Sequence, residues 1–301
     1  MKRVIVSGGN GFIGSSLVKR LLGEGVEVHA LVNENFQRLK TISEDVHIHE
    51  LRGELQSAVE IVDRVQPDTI FHLAAVYQEP VSADCVLSMI NGNLTLGACL
   101  LFAATQCARQ PVFVNTGTYW QFDRDAEYAP NTLYAATKHA FQDLLHFYRE
   151  RNGVASVTLI LYETFGGGDT RNKLWRRLVT ATEGTRVPLS EGEQQFHLVH
   201  IDDVVNAFVL AAQMLHTGEP MEPLYTLHSP SAQKLRPFVE ELNRRAELGL
   251  ELQWGALPYW EGQVFVPWQG QTLPGWTASV DAMTELVALA SERKVASGAR
   301  D

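Results

Sequence analysis

Val4-Ile-Val-Ser-Gly-Gly-Asn-Gly-Phe-Ile-Gly14 is the stretch that decides the fold of this chain of 301 residues. Its apolar start, Val4 to Ser7, predicts a short buried strand, and apolar residues recur at helical spacing just beyond the stretch. The glycines between, Gly8, Gly11 and Gly14, allow a tight turn in which backbone N–H groups approach a pyrophosphate at the start of the helix. A plain strand-to-helix turn is the alternative, because a glycine triplet alone is a weak signal.

The first half of the chain repeats this alternation of strand and helix. Further short apolar strands are predicted at residues 26–32, 68–73, 112–116 and 157–161. Short buried strands joined by long helical crossovers form a parallel sheet with helices on both faces. The sequence therefore predicts an α/β protein with a doubly wound parallel sheet of the Rossmann type.

Beyond residue 162 the alternation stops, and proline, glycine and tryptophan become frequent. A strand at residues 198–201, followed by a helix, indicates that the chain returns to the first domain. We therefore predict two interleaved units. The Rossmann domain comprises residues 1–161 plus about 197–216, and a smaller C-terminal substrate lobe comprises about 162–196 plus 217–301.

Composition narrows the partners and the compartment. The chain has 35 Asp and Glu against 25 Lys and Arg, a net charge of -10 that repels nucleic acid. Cys85, Cys99 and Cys107 have no CxxC or metal-ligand spacing, which predicts free thiols and a reducing cytoplasm. No apolar run approaches the roughly 18 residues that a membrane span needs. We expect a soluble cytoplasmic protein with a small-molecule partner.

Two histidine pairs, His47 with His49 and His197 with His200, suggest metal ligands at first sight. Alternation along a strand explains both pairs, and the sequence offers no third ligand beside either of them. We therefore expect no metal site.

Three side chains form a candidate catalytic set. Tyr134 and Lys138 are four residues apart in a helical segment, so both project from one face of that helix. A nearby ammonium stabilises a phenolate, so Lys138 is expected to lower the pKa of Tyr134 for proton exchange with a carbonyl or hydroxyl group. Thr116 ends a strand at the edge of the sheet where ligands bind in open α/β folds. A surface pair on a helix and an ordinary strand-end threonine are the alternatives.

Taken together, these motifs resemble the extended short-chain dehydrogenase/reductases that act on nucleotide-sugars. The resemblance covers the whole chain and lies in Gly8-x-x-Gly11-x-x-Gly14, Phe71-His-Leu-Ala-Ala75, Asn93, Thr116 with Tyr119-Trp120, Tyr134-Ala-Ala-Thr-Lys138 and His200-Ile-Asp202-Asp203. It implies a Thr116, Tyr134 and Lys138 triad, with Lys138 also holding the nicotinamide ribose. The cofactor would contact Gly8, Gly11, Phe12, Ile13, Gly14, Asn33, Leu73, Ala74, Ala75, Asn93, Tyr134 and Lys138.

The end of the second strand bears on which cofactor is used. An acid at this position holds the adenosine ribose hydroxyls of NAD, whereas this chain has Val32 and Asn33. The lack of that acid favours NADP(H), with NAD(H) possible because Glu34 is close enough to reverse the preference.

The residues after Thr116 separate the members of the family. Sugar-nucleotide dehydratases carry an Asp-Glu pair there, whereas this chain has Gly117 and Thr118, so dehydration has no paired acid and base. Reductases and epimerases remain. The runs 255–259 and 273–276 resemble those of bacterial 4-ketoreductases that make deoxyhexoses, so we expect NADPH-dependent 4-ketoreduction, with an NAD-dependent epimerase as the alternative.

Substrate anchoring departs from the family pattern. Phe196 stands where many members have an arginine that grips the diphosphate, and Glu163 replaces a frequent asparagine. A basic cluster after the turn 166–169 is expected to neutralise the diphosphate instead, although a solvated helix face is the alternative. The predicted substrate-binding residues are Tyr77, Thr118, Tyr119, Glu163, Arg171, Lys173 and Arg177.

Two further expectations concern assembly and a non-catalytic role. Family analogy suggests a homodimer formed through the helices of residues 93–107 and 134–148. An NAD(P)-binding regulatory or assembly protein would share the glycine loop, but it would not need Tyr134 and Lys138.

Overall fold

The computed structural model describes residues 1–33, 36–52, 54, 56–78, 82–123, 125 and 128–298. The strands are β1 (Arg3–Ser7), β2 (Glu27–Val32), β3 (His47–Glu50), β4 (Thr69–His72), β5 (Val112–Thr118), β6 (Ser156–Leu161), β7 (Glu163–Phe165), β8 (Arg186–Pro188), β9 (Gln195–Phe196), β10 (Leu198–His200), β11 (Leu224–Leu227), β12 (Gln233–Lys234) and β13 (Glu251–Gln253). The α-helices are α1 (Phe12–Gly23), α2 (Gln37–Lys40), α3 (Ser57–Val65), α4 (Ala83–Ile90), α5 (Leu96–Gln106), α6 (Leu133–Asn152), α7 (Leu174–Thr180), α8 (Ile201–Thr217), α9 (Leu235–Arg245) and α10 (Ala282–Gly298).

Seven parallel strands form the main sheet in the order β3-β2-β1-β4-β5-β6-β11. One face packs against α1 and α8 through residues such as Leu17 and Phe208, and the other against α3, α5 and α6 through residues such as Leu100 and Phe141. Both faces are buried, which explains why the strands are apolar without alternation. The predicted Rossmann architecture is confirmed.

A second, smaller core lies beside the sheet. It gathers α7, α9 and α10 with three two-stranded pairings, β7 with β10, β9 with β12 and β8 with β13. Trp175, Phe196 and Phe238 pack with ring centroids 4.7 to 5.4 Å apart at its centre. Phe196 is therefore a core residue here, consistent with the lack of an arginine at that position.

The structure differs from the sequence-based division at two strands. Leu198–His200, which was predicted to be a strand of the Rossmann domain, pairs with β7 in a separate two-stranded sheet, while the helix after it, α8, packs on the main sheet. Leu224–Leu227, which was predicted to lie in the substrate lobe, forms β11 and pairs with β6 as the edge strand of the main sheet. Four residues after a loop carry too weak a pattern to reveal their partner. The order of the strands in the sheet becomes known only when they pair.

The helix preceding β5 is longer and more apolar than expected. Residues 83–106 form one continuous helical rod, with a π-helical turn at Asn91–Thr95, and its hydropathy and length would suffice to cross a membrane. The expectation that no apolar run approaches such a length was wrong. Leu96, Leu100 and Leu101 pack into the core against the sheet, however, as the core helix of an α/β domain does.

Candidate active site

Two adjoining cavities lie along the carboxyl edge of the sheet, next to the ends of the neighbouring strands β1 and β4. The chain leaves β1 over one face of the sheet and leaves β4 over the other, and ligands bind at such a point in open α/β folds. The first has a volume of about 560 Å³ and the second about 490 Å³. Gly8, Gly11, Leu73 and Ala75 line both cavities, so the two form one continuous cleft over the glycine turn.

The glycine turn closes tightly on itself. A Cβ atom on Gly14 would lie 2.2 Å from the Gly8 carbonyl oxygen, and one on Gly8, whose φ is +71°, would lie 2.7 Å from the Ala74 nitrogen. Gly11, the N-cap of α1, supplies no side-chain cap to the helix. Phe12, Ile13 and Gly14 line the first cavity at this uncapped helix start, which suits an anion such as a pyrophosphate.

The second cavity is bounded by the end of β2. Asn33 and Val32 line it together with Ala74 and Val76. Its walls are mostly apolar, as expected for the site of a nucleoside base. Glu34, which the sequence analysis weighed against Asn33, lies outside the described residues.

The candidate triad comes together at the floor of the first cavity. Thr116 lies on β5 and Tyr134 near the start of α6, and both side chains line the cavity. Thr132 caps α6 by accepting a hydrogen bond from the Ala135 N–H, which fixes where the helix begins. Thr116 donates its hydroxyl proton to the His72 carbonyl at 3.0 Å.

Lys138 lies behind this floor, one turn along α6. It is 1% exposed, and its Nζ atom has no hydrogen-bond partner among the described residues. An ammonium group that is buried without a partner is costly, so this position calls for a polar ligand group. The unpartnered Nζ and the uncapped start of α1 are two independent observations that fit a dinucleotide bound across both cavities.

Asn93 connects the cofactor side of the cleft to α6 and does not line either cavity. Its side chain accepts a hydrogen bond from the Val76 N–H at 2.7 Å and donates to the Val76 carbonyl and to Thr137. Thr137 in turn donates to the Tyr134 carbonyl at 2.8 Å. Asn93 thus links the Val76 backbone to α6 near Tyr134, and its predicted contact with the cofactor stays a prediction.

The acid–base properties differ from the sequence-based expectation. Burial, with a smaller contribution from the neighbouring Tyr77, raises the pKa of Tyr134 to about 12, whereas Lys138 was expected to lower it. Burial lowers the pKa of Lys138 to about 8, because a charged ammonium is poorly solvated there. Tyr134 is consequently a protonated phenol at neutral pH, which is the form that donates a proton.

Stability should depend on pH through Lys138. The pKa of this group falls from 10.5 in the unfolded chain to about 8 in the folded protein, so between these values only the unfolded chain retains the proton. The free energy of unfolding of nucleotide-free protein should therefore rise from pH 8 to pH 10.5 by up to about 3 kcal/mol relative to Lys138→Met. Urea unfolding of both proteins across this range measures the difference. Parallel pH profiles for the two proteins would contradict the assignment.

Aromatic rings form one wall of the first cavity. The Tyr77 and Trp120 ring centroids lie 5.5 and 6.4 Å from that of Tyr134, and Tyr119 stacks on Tyr162 at 5.0 Å. Tyr162 and Trp260, which packs on Trp120 at 5.7 Å, were missed in the sequence. The position of Tyr162 directly after β6 was a usable signal, because residues at the carboxyl ends of parallel strands line the cleft.

Some charged residues that line the first cavity form ion pairs with neighbouring side chains. Lys173 lies 3.6 Å from Glu163. Burial raises the pKa of Tyr119, and the charge of Glu163 adds to this effect. Arg171 pairs with Asp169 at 2.8 Å and lies over the Phe12 ring.

Of the seven predicted substrate residues, six line the first cavity: Tyr77, Thr118, Tyr119, Glu163, Arg171 and Lys173. Arg177 is exposed on α7 and lines neither cavity.

Comparison with known proteins agrees with this arrangement. The model of the NAD dependent epimerase/dehydratase family matches residues 4–224. CDP-abequose synthase of Yersinia pseudotuberculosis is 27% identical over 88% of this chain and 91% of its own length, and that of Salmonella typhimurium is 27% identical over 68% of each.

Solved structures share the fold. UDP-glucose 4-epimerase of Thermotoga maritima with UDP-glucose superposes with a TM-score of 0.82 at 19% identity, covering 98% of this chain and 99% of its own. A dTDP-glucose 4,6-dehydratase of Streptomyces venezuelae with NAD gives a TM-score of 0.80 at 20% identity, covering 98% of each chain.

Proposed function

Because this chain belongs to the NAD dependent epimerase/dehydratase family, we propose that it reduces the 4-keto group of a nucleotide-linked deoxyhexose with NADPH. The observation that carries the proposal is that Tyr134 and Thr116 line a cavity in which residues 117 and 118, a glycine and a threonine, supply no acid–base pair. A site of this composition can give a proton to a developing alkoxide, but it lacks the groups for dehydration.

The chain's own residues would act as follows. The nicotinamide, when bound, supplies a hydride to the carbonyl carbon. Tyr134 donates its phenolic proton to the carbonyl oxygen, and solvent returns a proton to the resulting phenolate. Lys138, which lacks a partner in its buried position, would hydrogen-bond the cofactor ribose and stabilise that phenolate. Thr116 would turn its hydroxyl proton from the His72 carbonyl toward the reacting oxygen when substrate binds, and so orient it from the other side of the cavity.

Substrate recognition would combine rings and charges. The wall of Tyr77, Tyr119 and Trp120 offers apolar surface to a deoxyhexose, whose missing hydroxyl groups make one face more apolar. Lys173 and Arg171 would neutralise the diphosphate, and Arg177 would contribute from outside the cavity. Thr118 and Glu163 would accept or donate hydrogen bonds to the sugar. The relatives named CDP-abequose synthase support a CDP-linked sugar.

Oxidation of NADPH by purified protein tests the proposal directly. Consumption of NADPH with a CDP-linked 4-keto-deoxyhexose, together with appearance of the corresponding alcohol, is the expected result. dTDP- and UDP-linked 4-keto sugars serve as comparison substrates. If none of these 4-keto sugars is reduced, and the protein instead interconverts 4-hydroxy epimers without net use of NADPH, the proposal is wrong. The protein would then be an epimerase, like the UDP-glucose 4-epimerases. Tight NADPH binding without either reaction would indicate a non-catalytic binding protein.

We further propose that NADP(H) is preferred over NAD(H) because of Asn33. Asn33→Asp would place a carboxylate at the wall of the second cavity, where it would repel a 2'-phosphate and accept bonds from ribose hydroxyls. We expect NADPH to bind at least about ten-fold more weakly and NADH more tightly, as one like-charge contact implies. Fluorescence titration with each cofactor measures both constants. An unchanged ratio of the two would contradict the role of Asn33.

A homodimer through the helical rod of residues 83–106 and α6 completes the proposal. Leu87, Phe102 and Phe147 are 62%, 49% and 54% exposed on these helices, an apolar surface that a second copy would cover. Light scattering should give twice the chain mass, and Phe102→Glu should give a monomer. A monomeric wild-type protein would reject the dimer.

The free cysteines agree with a cytoplasmic location.

A further inference from the structure

Three histidines and a glutamate gather on one face of the sheet at its β2–β3 edge, outside the set of residues that line the cleft described above. Glu27 and His29 are alternate residues of β2, and His47 and His49 are alternate residues of β3. The two strands run parallel with His29 directly opposite His47. Since alternate residues of a strand share a face, the pairing of β2 with β3 brings all four side chains together.

The contacts within this group are close. His29 Nε2 lies 2.9 Å from a Glu27 carboxylate oxygen, and His29 Nδ1 lies 2.9 Å from His49 Nε2. The His29 ring also stacks on the rings of His47 and His49, with centroids 4.6 and 5.2 Å apart. One ligand atom from each of Glu27, His29 and His47 lies within 4.8 Å of the other two.

This arrangement has the chemistry of a transition-metal site. Neutral imidazole nitrogens and a carboxylate are ligands for zinc and related ions, which bind at about 2.0–2.2 Å. His47 is exposed, so its ring is free to turn inward and shorten the distances to the other two ligand atoms. The contact of His29 Nδ1 with His49 matches the hydrogen bond by which a ligating histidine is usually oriented.

We propose that Glu27, His29 and His47 bind one zinc-like divalent ion, with His49 positioning His29. Arg3 shares the same Glu27 oxygen at 3.0 Å, so the ion would displace this surface ion pair. His47 and His49 were not predicted to bind a metal because the sequence showed no third ligand near them. The tertiary structure brings Glu27 and His29 beside His47 and so provides the further ligands.

The ion would not take part in the reaction proposed above. His29 precedes Val32, at the carboxyl end of β2, by three residues, which is about 10 Å along the strand. β3 is the outermost strand of the sheet and pairs only with β2 among the strands of the described chain. A metal that joins these two strands would therefore fasten the sheet edge, and its presence is testable without any measurement of turnover.

Calorimetric titration of the untagged 301-residue chain with Zn²⁺ tests the site. One equivalent should bind to the wild type, and His47→Gln and Glu27→Gln should each weaken binding at least about ten-fold. His49→Gln should weaken it by about ten- to a hundred-fold, as the loss of an orienting partner does. His146→Gln, which changes an exposed histidine on α6, should bind like the wild type.

Co²⁺ provides an independent spectroscopic readout. The wild type and His146→Gln should give visible d–d absorption with imidazole ligation, and His47→Gln should lose it. Thermal unfolding of metal-free His47→Gln and Glu27→Gln separates loss of ligands from loss of the fold. Zn²⁺ binding to the wild type that is no tighter than binding to folded His47→Gln or Glu27→Gln would overturn the proposal.

Discussion

Tyr134→Phe is expected to lower kcat for reduction of the 4-keto sugar by about 10²–10⁴-fold, the usual contribution of a positioned general acid. The change removes only the phenolic oxygen, so the ring contacts with Tyr77 and Trp120 remain. NADPH affinity should stay within a few-fold of wild type. Steady-state assays and a fluorescence titration with NADPH separate the two effects.

Tyr148→Phe is the matched control, because Tyr148 lies on the same helix and does not line either cavity. It should leave kcat unchanged. A Tyr134→Phe enzyme with wild-type turnover would show that the proton comes from another group, and it would remove the main support for the proposed function.

Gly14→Ala is expected to disable the dinucleotide site and the fold of the turn together. The added methyl group would lie 2.2 Å from the Gly8 carbonyl oxygen, a backbone atom that cannot move aside without opening the turn. We expect a loss of about 3 kcal/mol in the free energy of unfolding, as in strongly overpacked sites, and at least about ten-fold weaker NADPH binding. Urea unfolding and a fluorescence titration measure these effects.

Gly23→Ala gives the matched control at the other end of α1. A Cβ atom there meets nothing within 4 Å, and the backbone is helical, so alanine should stabilise the protein by about 0.5–1 kcal/mol. Equal effects of the two substitutions would mean that the turn tolerates a side chain. The close approach of residues 8 and 14 would then not be required for binding.

The glycine turn is a feature that the sequence alone was sufficient to predict. Gly8, Gly11 and Gly14 stand between a strand and a helix that local apolar spacing already defines, so their place in the cleft followed from the pattern. Tyr134 was predicted to face the site from its helical spacing to Lys138 and from the position of Thr116 at the end of a parallel strand. Both features can be read from local sequence. Six of the seven residues predicted to bind substrate line the first cavity.

Other features depended on contacts between distant residues. The membership of β11 in the main sheet, the hydrogen bonds of Asn93 and the stacking of Tyr162 on Tyr119 all arise from partners far apart in the chain. Their sequence signals are short or ambiguous, because pairing and burial are properties of two segments rather than one.

The acid–base properties of the site show the same division. Sequence placed Tyr134 and Lys138 on one face of a helix, since the helical repeat depends only on their spacing. Only the tertiary structure decided the direction of their pKa shifts, because burial, which depends on everything packed around a group, raises the pKa of Tyr134 and lowers that of Lys138. The grouping of Glu27 with His29 and His47 likewise depends on the register between β2 and β3, which cannot be read from the sequence of either strand alone.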